Sequence, residues 1–332
     1  MTTTLKALLT GGLLLASSMV TAETIERDIC VFDIAGKVGP TMAAMQDWRT
    51  EAINWGLDAN LKVYTNESVV AEDLKAGVCD AALMTGIRAR QFNTYAGTLD
   101  SIGAIPTMEH MKIALQVLAH PSSADKLTSN SYEVMGIAPI GAAYIFVNDR
   151  RVNTLAKAAG KKVAVLDYDP TQAKLVAAAG ATPVPSDITN FAGKFNNGVV
   201  DVIAAPLVAY NVLELYKGLE PDGGIIDYPL VQLSIQLIAK ADRFPEKMAQ
   251  TSREYFYNSL DQVLEQVERE ASVVDDKWWV DIPAKDKQEY EVMMQDARDQ
   301  MRNEGHYDPD MLDLLRKVRC KLNSSRAECT GA

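Results

Sequence analysis

The chain has 332 residues, 48% hydrophobic and 23% charged, with a formal net charge of −11. This is ordinary globular composition, with room for two domains. An acidic surface argues against nucleic-acid binding, which needs basic patches.

Residues 1–22 carry Lys6, an apolar stretch over 7–15, and Val20-Thr21-Ala22 before Glu23. This pattern predicts a secretory signal peptide. A membrane anchor would need roughly 18 or more apolar residues. No Cys follows the small residues, so no lipid anchor is expected, and no later run suits a bilayer crossing. The expected product is exported and not membrane-inserted after cleavage. Loss of Lys6 takes the charge from −11 to −12.

Residues 29–32 predict a strand ending at Asp33. A helix over 40–55, a strand over 61–64, a helix over 68–76 and a strand over 81–84 follow. Thr85 leaves the carboxyl end of that strand, where open α/β sheets bind ligands. Arg88 and Arg90 follow it. They suit an anionic ligand group or, alternatively, an ion pair with Asp33 or Asp100. A helix is predicted over 108–118. His110 and His120 have no spaced partner and read as surface residues.

Residues 137–147 form an extended apolar run, read as a crossing strand and hinge, with Tyr144 facing either a cleft or a core. A short helix over 155–158 follows, capped by Asn153 or Thr154. Residues 163–166 are a short apolar run before the turn Asp167-Tyr168-Asp169-Pro170, as a buried parallel strand should look. Good helix formers fill 171–179, and Gly180 stops them. A strand, a second helical segment and a strand over 199–204 complete the unit, which leaves through Pro206 towards Tyr210. Asp167 and Asp169 can cap the helix that follows them.

Two segments echo each other. Residues 74–80 (LKAGVCD) and 195–201 (FNNGVVD) both run helix end, Gly, two small or apolar residues, Asp, strand. Gly suits the left-handed turn that ends a helix. Two such matches inside equivalent strand–helix–strand–helix–strand units imply two similar α/β lobes.

Residues 229–240 read as a return strand in which Gln232, Ser234 and Gln236 alternate with apolar residues. The rest is helical, over 245–271, 283–303 and 309–322, each starting at Pro. Trp278 and Trp279 read as packing residues between helices and a lobe. Cys30 and Cys79 start strands that should be sheet neighbours, and Cys320 and Cys329 are close in the tail. Export predicts the pairs Cys30–Cys79 and Cys320–Cys329, with buried free thiols the alternative for the first pair. No motif of secreted catalysis is present, and no metal spacing. No cofactor is expected.

Two lobes, two crossings and an export signal resemble bacterial periplasmic solute-binding proteins. Residues 180–185 (GATPVP) with 197–201 (NGVVD) look like the second lobe of TRAP-transporter binding proteins of the DctP type. That family usually carries a carboxylate-clamping Arg where this chain has Ala164. It also has Asn-Pro where this chain has Ala205-Pro206. The motifs ICVFDIAG, EDLKAG, GIRARQFN, IAPIGAAYIFVNDR, LAKAAGKKVAVLDYD and GKFNNG resemble the AdeT-like solute-binding proteins, which have been labelled as associated with RND-type efflux and aminoglycoside resistance. A pump must span the membrane, and this chain offers no such segment.

The resemblance implies an α/β, two-lobed, periplasmic-binding-protein-like fold of type II, or TRAP type, with crossing strands and C-terminal helices. Lobe I is residues 23–146 with 233–332, and lobe II is 147–232. The implied function is periplasmic capture of a small polar or partly charged solute, delivered to a membrane transporter. The expected ligand-binding residues are Asp33, Thr85, Arg88, Arg90, Tyr144, Asp167, Tyr168, Pro206 and Tyr210. The alternatives are an accessory of an RND-type efflux system acting through protein contacts, and an enzyme on the same scaffold.

Overall fold

The computed structural model describes residues 24–329, and the expected signal segment, residues 1–22, lies outside them. The first half alternates β1 (Ile25–Phe32), α1 (Pro40–Ala52), β2 (Leu57–Tyr64), α2 (Glu67–Ala76) and β3 (Ala81–Thr85). Helical crossovers return the chain in the same direction, so β1 pairs in parallel with both β2 and β3. After α3 (Met108–Ala119) comes the long strand β4 (Tyr132–Val147). The alternation then repeats as β5 (Lys162–Leu166), α4 (Pro170–Ala178), β6 (Thr182–Ser186), α5 (Phe191–Asn196) and β7 (Val202–Pro206). Strand β8 (Val231–Lys240) leads back to α6 (Glu246–Asn258), α7 (Leu260–Ala271), α8 (Ala284–Asn303) and α9 (Pro309–Leu322). The helix read over 245–271 is thus two helices, broken at Ser259.

The internal echo extends to individual hydrogen bonds. Gly77 and Gly198 both sit at positive φ, +78° and +67°. The next residue donates back into the helix each time, Val78 to Asp73 O at 2.9 Å and Val199 to Lys194 O at 2.8 Å. The Asp then clamps the neighbouring strand. Asp80 N donates to Asp28 O, while Asp80 Oδ2 accepts from Asp28 N at 3.0 Å. Asp201 N donates to Lys162 O, while Asp201 Oδ2 accepts from Lys162 N at 2.8 Å. Each motif therefore fixes the register of a parallel pair where slippage would turn side chains over.

The sequence implies two sheets, but the strands form one hydrogen-bonded path, β2-β1-β3-β8-β4-β7-β5-β6. The cause is the length of β4, whose 16 residues span about 53 Å at 3.3 Å per residue. Residues 132–143 pair with β8, and residues 143–147 pair with β7. Just before this handover, Leu233 faces Gly141 and Ser234 faces Pro139, leaving Ile140 as an extra residue. Gly141 has φ +92°, a conformation that glycine takes without Cβ strain. The bulge bends β4 where the two halves meet.

Core packing follows the two faces of the sheet. Trp48, Leu57 and Leu237 lie on one face of the first half, and Val70, Leu74 and Met111 on the other. The indole of Trp48 donates to Ser252 Oγ of α6 at 3.0 Å. A buried ion pair, Arg253 to Glu133 at 2.7 Å, fixes α6 on β4. Helix α8 touches both halves. Its Tyr290 stacks on Tyr228 at 5.5 Å, Met294 shares a core with Val147 and Val202, and Arg298 donates to Ile102 O at 2.9 Å. Trp278 is buried in the second half's core, and Trp279 packs edge-on against Tyr144.

The two disulfides join Cys30 to Cys79 and Cys320 to Cys329, across sequence separations of 49 and 9. Loop-closure entropy gives about 4 kcal/mol for the first and about 2.5 kcal/mol for the second. Replacing Cys30 and Cys79 together by Ala should therefore lower the unfolding free energy in urea more than replacing Cys320 and Cys329. Equal losses, or a larger loss at the tail, would contradict this ranking.

Candidate functional site

The carboxyl ends of β1, β3, β5 and β7 converge on a cavity of about 520 Å³ between the two halves. Open α/β folds place their ligands in such a crevice, and the volume falls within the roughly 300–1,000 Å³ typical of small-molecule sites. The bulged stretch where β4 pairs with β8 supplies Pro139, Ile140 and Leu233. The second half supplies Val163, Val165 and Ala204.

Four expected residues line this cavity: Asp33, Thr85, Tyr168 and Pro206. Asp33 is buried at the start of α1, where its carboxylate accepts from Ala35 N and Met42 N, both at 2.8 Å. Burial raises its pKa, and those amide donors oppose the rise. A Cβ at residue 39 would overlap the Asp33 carboxylate, so Gly39 gives it room. Thr85 caps the short helix Gly86–Ala89 through its Oγ1, which accepts from Arg88 N at 3.3 Å.

Tyr168 belongs to a clasp between the halves. Glu67, at the start of α2, is 0% exposed. Its Oε1 accepts from Thr85 N at 2.7 Å, and its Oε2 accepts from the Tyr168 hydroxyl at 3.1 Å. The Arg88 guanidinium lies over the Tyr168 ring, 3.3 Å from its centroid, with Nε 3.6 Å from Glu67 Oε2. Burial raises the Glu67 pKa, against its hydrogen bonds and the Arg88 charge. Beside this, Arg90 reaches Asp169 at 3.3 Å, donates to Gly97 O at 3.2 Å, and lies over the Tyr307 ring at 4.9 Å. Asp169 also caps α4 by accepting from Thr171 N at 3.1 Å. The two arginines therefore hold the turn of the second half and stand outside the cavity lining.

The remaining expected residues also lie outside that lining. Tyr144 packs on Trp279, ring centroids 5.2 Å apart. Tyr210 is buried against Tyr216. The Asp167 side chain is exposed at the end of β5.

Sequence reasoning missed Glu67 and the role of Asp100. Glu67 follows the helix cap Asn66, where an exposed acid is ordinary, and nothing local shows that tertiary packing buries it. Asp100 is buried at the cavity and accepts from Ser234 Oγ at 2.6 Å and Ser234 N at 3.0 Å. The polar alternation of β8 held half of this signal. Ser234 meets Asp100, and Gln236 donates to Ala96 O at 3.0 Å. A Cβ at Gly86 would overlap both Ser234 and Asp100.

A family model described as "Solute-binding protein AdeT 1/2" matches residues 33–332. The chain belongs to the AdeT 1/2 family of solute-binding proteins. Among its relatives in this family, it is 45% identical over 299 residues to "Probable solute-binding protein AdeT1" of Acinetobacter baumannii, covering 90% of this chain and 98% of that one. The AdeT 1/2 chain also shares its fold with solved TRAP periplasmic solute-binding proteins. One from Desulfovibrio salexigens, with bound orotic acid, has a TM-score of 0.75 at 15% identity, covering 90% of this chain and 99% of that one. One from Sulfitobacter sp. NAS-14.1, with bound β-D-galacturonate, has a TM-score of 0.72 at 13% identity, covering 89% and 99%.

Burial pushes the Asp100 carboxyl up to about 7 from 3.8. The folded protein thus keeps a proton that the unfolded chain has lost. Its contribution to stability must fall as pH rises from about 4 to about 7, by on the order of 1 kcal/mol per pH unit, and stay flat above that window. The stability difference between wild type and Asp100→Asn, read from urea midpoints across this window, should shrink as pH rises. A pH-independent difference would contradict the assignment.

Proposed function

We propose that this AdeT 1/2 protein captures a small solute between two lobes in the periplasm and hands it unchanged to a membrane transporter. Lobe I is residues 23–146 with 233–332, and lobe II is 147–232. The observation that carries this is the cavity, which both halves line at the carboxyl ends of their strands. Asp33, Thr85, Tyr168 and Pro206 make the solute contacts, and Arg88 and Arg90 act on closure.

The segment 1–22 directs export and is then removed. No helix among the described residues is long and apolar enough to cross a membrane, so translocation falls to a partner. Closure is a hinge motion at β4 and β8, driven by contacts that a solute makes only with the halves together. The reading is capture without chemistry: the lining is mostly hydrocarbon, and its buried acids Asp33 and Asp100 are engaged by Ala35, Met42 and Ser234. Nothing among the described residues favours an efflux accessory acting without a solute, and a cavity of this size has no part in that reading.

Native mass spectrometry of protein purified from its own host should show a retained metabolite. Thermal-shift screening should then find a solute class that raises the melting midpoint. Solute at a hundredfold excess over its Kd adds about 2.7 kcal/mol. No retained solute and no shift across a broad metabolite panel would contradict the proposal.

A further inference from the structure

A guanidinium beside the cavity has not spent its donors. Arg88 is 9% exposed, and none of its side-chain N–H groups donates to a described residue. Its ion-pair partner Glu67 stands 3.6 Å from Nε, beyond hydrogen-bond reach. The Glu67 oxygens already accept from Thr85 N and the Tyr168 hydroxyl. Tyr168 covers the face of the guanidinium, and the N–H groups point outward in its plane, so the ring meets none of them. Arg90 is similar: Nε donates to Gly97 O, Nη1 reaches Asp169, and Nη2 is buried without a partner. Buried polar atoms are ordinarily matched, so an oxyanion arriving here gains more than at a satisfied cation. The neighbours Ile87, Tyr168 and Asp169 line the cavity.

The rest of the cavity suits a different kind of group. Most of its wall is hydrocarbon, including Ile140, Val163, Leu175, Val202 and Leu233. Its buried acids Asp33 and Asp100 already accept from Ala35, Met42 and Ser234. A solute hydroxyl pressed on the aliphatic wall loses water and finds no partner, whereas an apolar body releases water from it. The one Arg or Lys of the lining, Arg269, lies at the exposed edge and donates to Gln266 Oε1 at 2.8 Å. Solvent screens an ion pair there far more than at Arg88.

We infer that the solute of this site, granted the binding function proposed above, is an amphipathic acid: its oxyanion sits on the N–H edge of Arg88, and its hydrocarbon body fills the aliphatic cavity. Opening the halves withdraws the Tyr168 ring and bares Arg88 to the crevice. Reclosing returns the ring to the guanidinium face while the solute holds the edge, so one arginine serves both clasp and cargo. The apolar body sets this solute apart from the galacturonate held by a solved structure that shares the fold.

The test is a matched series on the full exported chain: 4-phenylbutyrate, 4-phenylbutanol, 4-phenylbutylammonium and galacturonate. Calorimetry should rank butyrate above alcohol by about ten- to hundredfold, ammonium below both, and galacturonate as unbound. Arg88→Met keeps an apolar side chain against Tyr168 and removes the charge. Any loosening of the clasp weakens both phenyl ligands, so the butyrate-to-alcohol ratio isolates the contact, and Arg88→Met should bring it to about one. The ranking on the unaltered chain tests the class even if the variant does not fold. An alcohol or ammonium as tight as the butyrate would overturn the oxyanion and leave solute binding standing. Galacturonate tighter than the butyrate would overturn the apolar body. A folded Arg88→Met variant with the original ratio would overturn the role of Arg88. Absence of binding by all four would overturn the class alone if native mass spectrometry finds a retained metabolite, and the binding function with it if none is found.

Discussion

One buried carboxylate organises the meeting of the two halves. Glu67 has no solvent contact, so its charge and lone pairs must be met by protein. The first half meets it with the Thr85 amide, and the second half with the Tyr168 hydroxyl. Arg88 adds its charge from 3.6 Å and covers the Tyr168 ring. Bringing the halves together and satisfying Glu67 are therefore a single event. Buried ion pairs gain little over their desolvation cost, whereas breaking one without water is expensive. When the halves part, water can replace Tyr168. Such a clasp closes a crevice without locking it, which suits a protein that must also release its solute.

The hinge has matching properties. Strand β4 runs through both halves, so the sheet is continuous, and any closure of the kind proposed must come from bending. The bulge at Ile140 with Gly141 at positive φ concentrates that bend beside the cavity. The pair Asp100 and Ser234 ties the loop before it to β8. The same residues that permit bending also wall the site, so a solute that fills the cavity bears directly on the hinge. Helix α8 runs along the outside and touches both halves, which limits how far they can separate.

Much of this fold is legible in the sequence. The repeated Gly-x-x-Asp marked two equivalent units, and in the structure both copies make the same set of hydrogen bonds. Proline placed the starts of the late helices, and export predicted both disulfides. The joined sheet was not legible, because nothing local tells a strand that pairs with one partner from a strand long enough to pair with two in succession. The break at Ser259 was also silent, since neither Gly nor Pro marks it. At the site, strand-end logic located Asp33, Thr85, Tyr168 and Pro206 on the cavity. It could not reveal that Arg88 and Arg90 are engaged by Glu67 and Asp169, because that depends on residues about 20 and 80 positions away meeting in space. Tyr144 and Tyr210 illustrate the same ambiguity: an aromatic at a strand end serves a core as readily as a crevice.

The clasp, and not the continuous sheet alone, holds the halves over the cavity. Small-angle X-ray scattering on wild type and on the double variant Arg88→Ala, Arg90→Ala tests it most directly. Wild-type scattering should fit the closed arrangement of the two halves, and the variant should show a larger radius of gyration. Superimposable curves from the two proteins would contradict it.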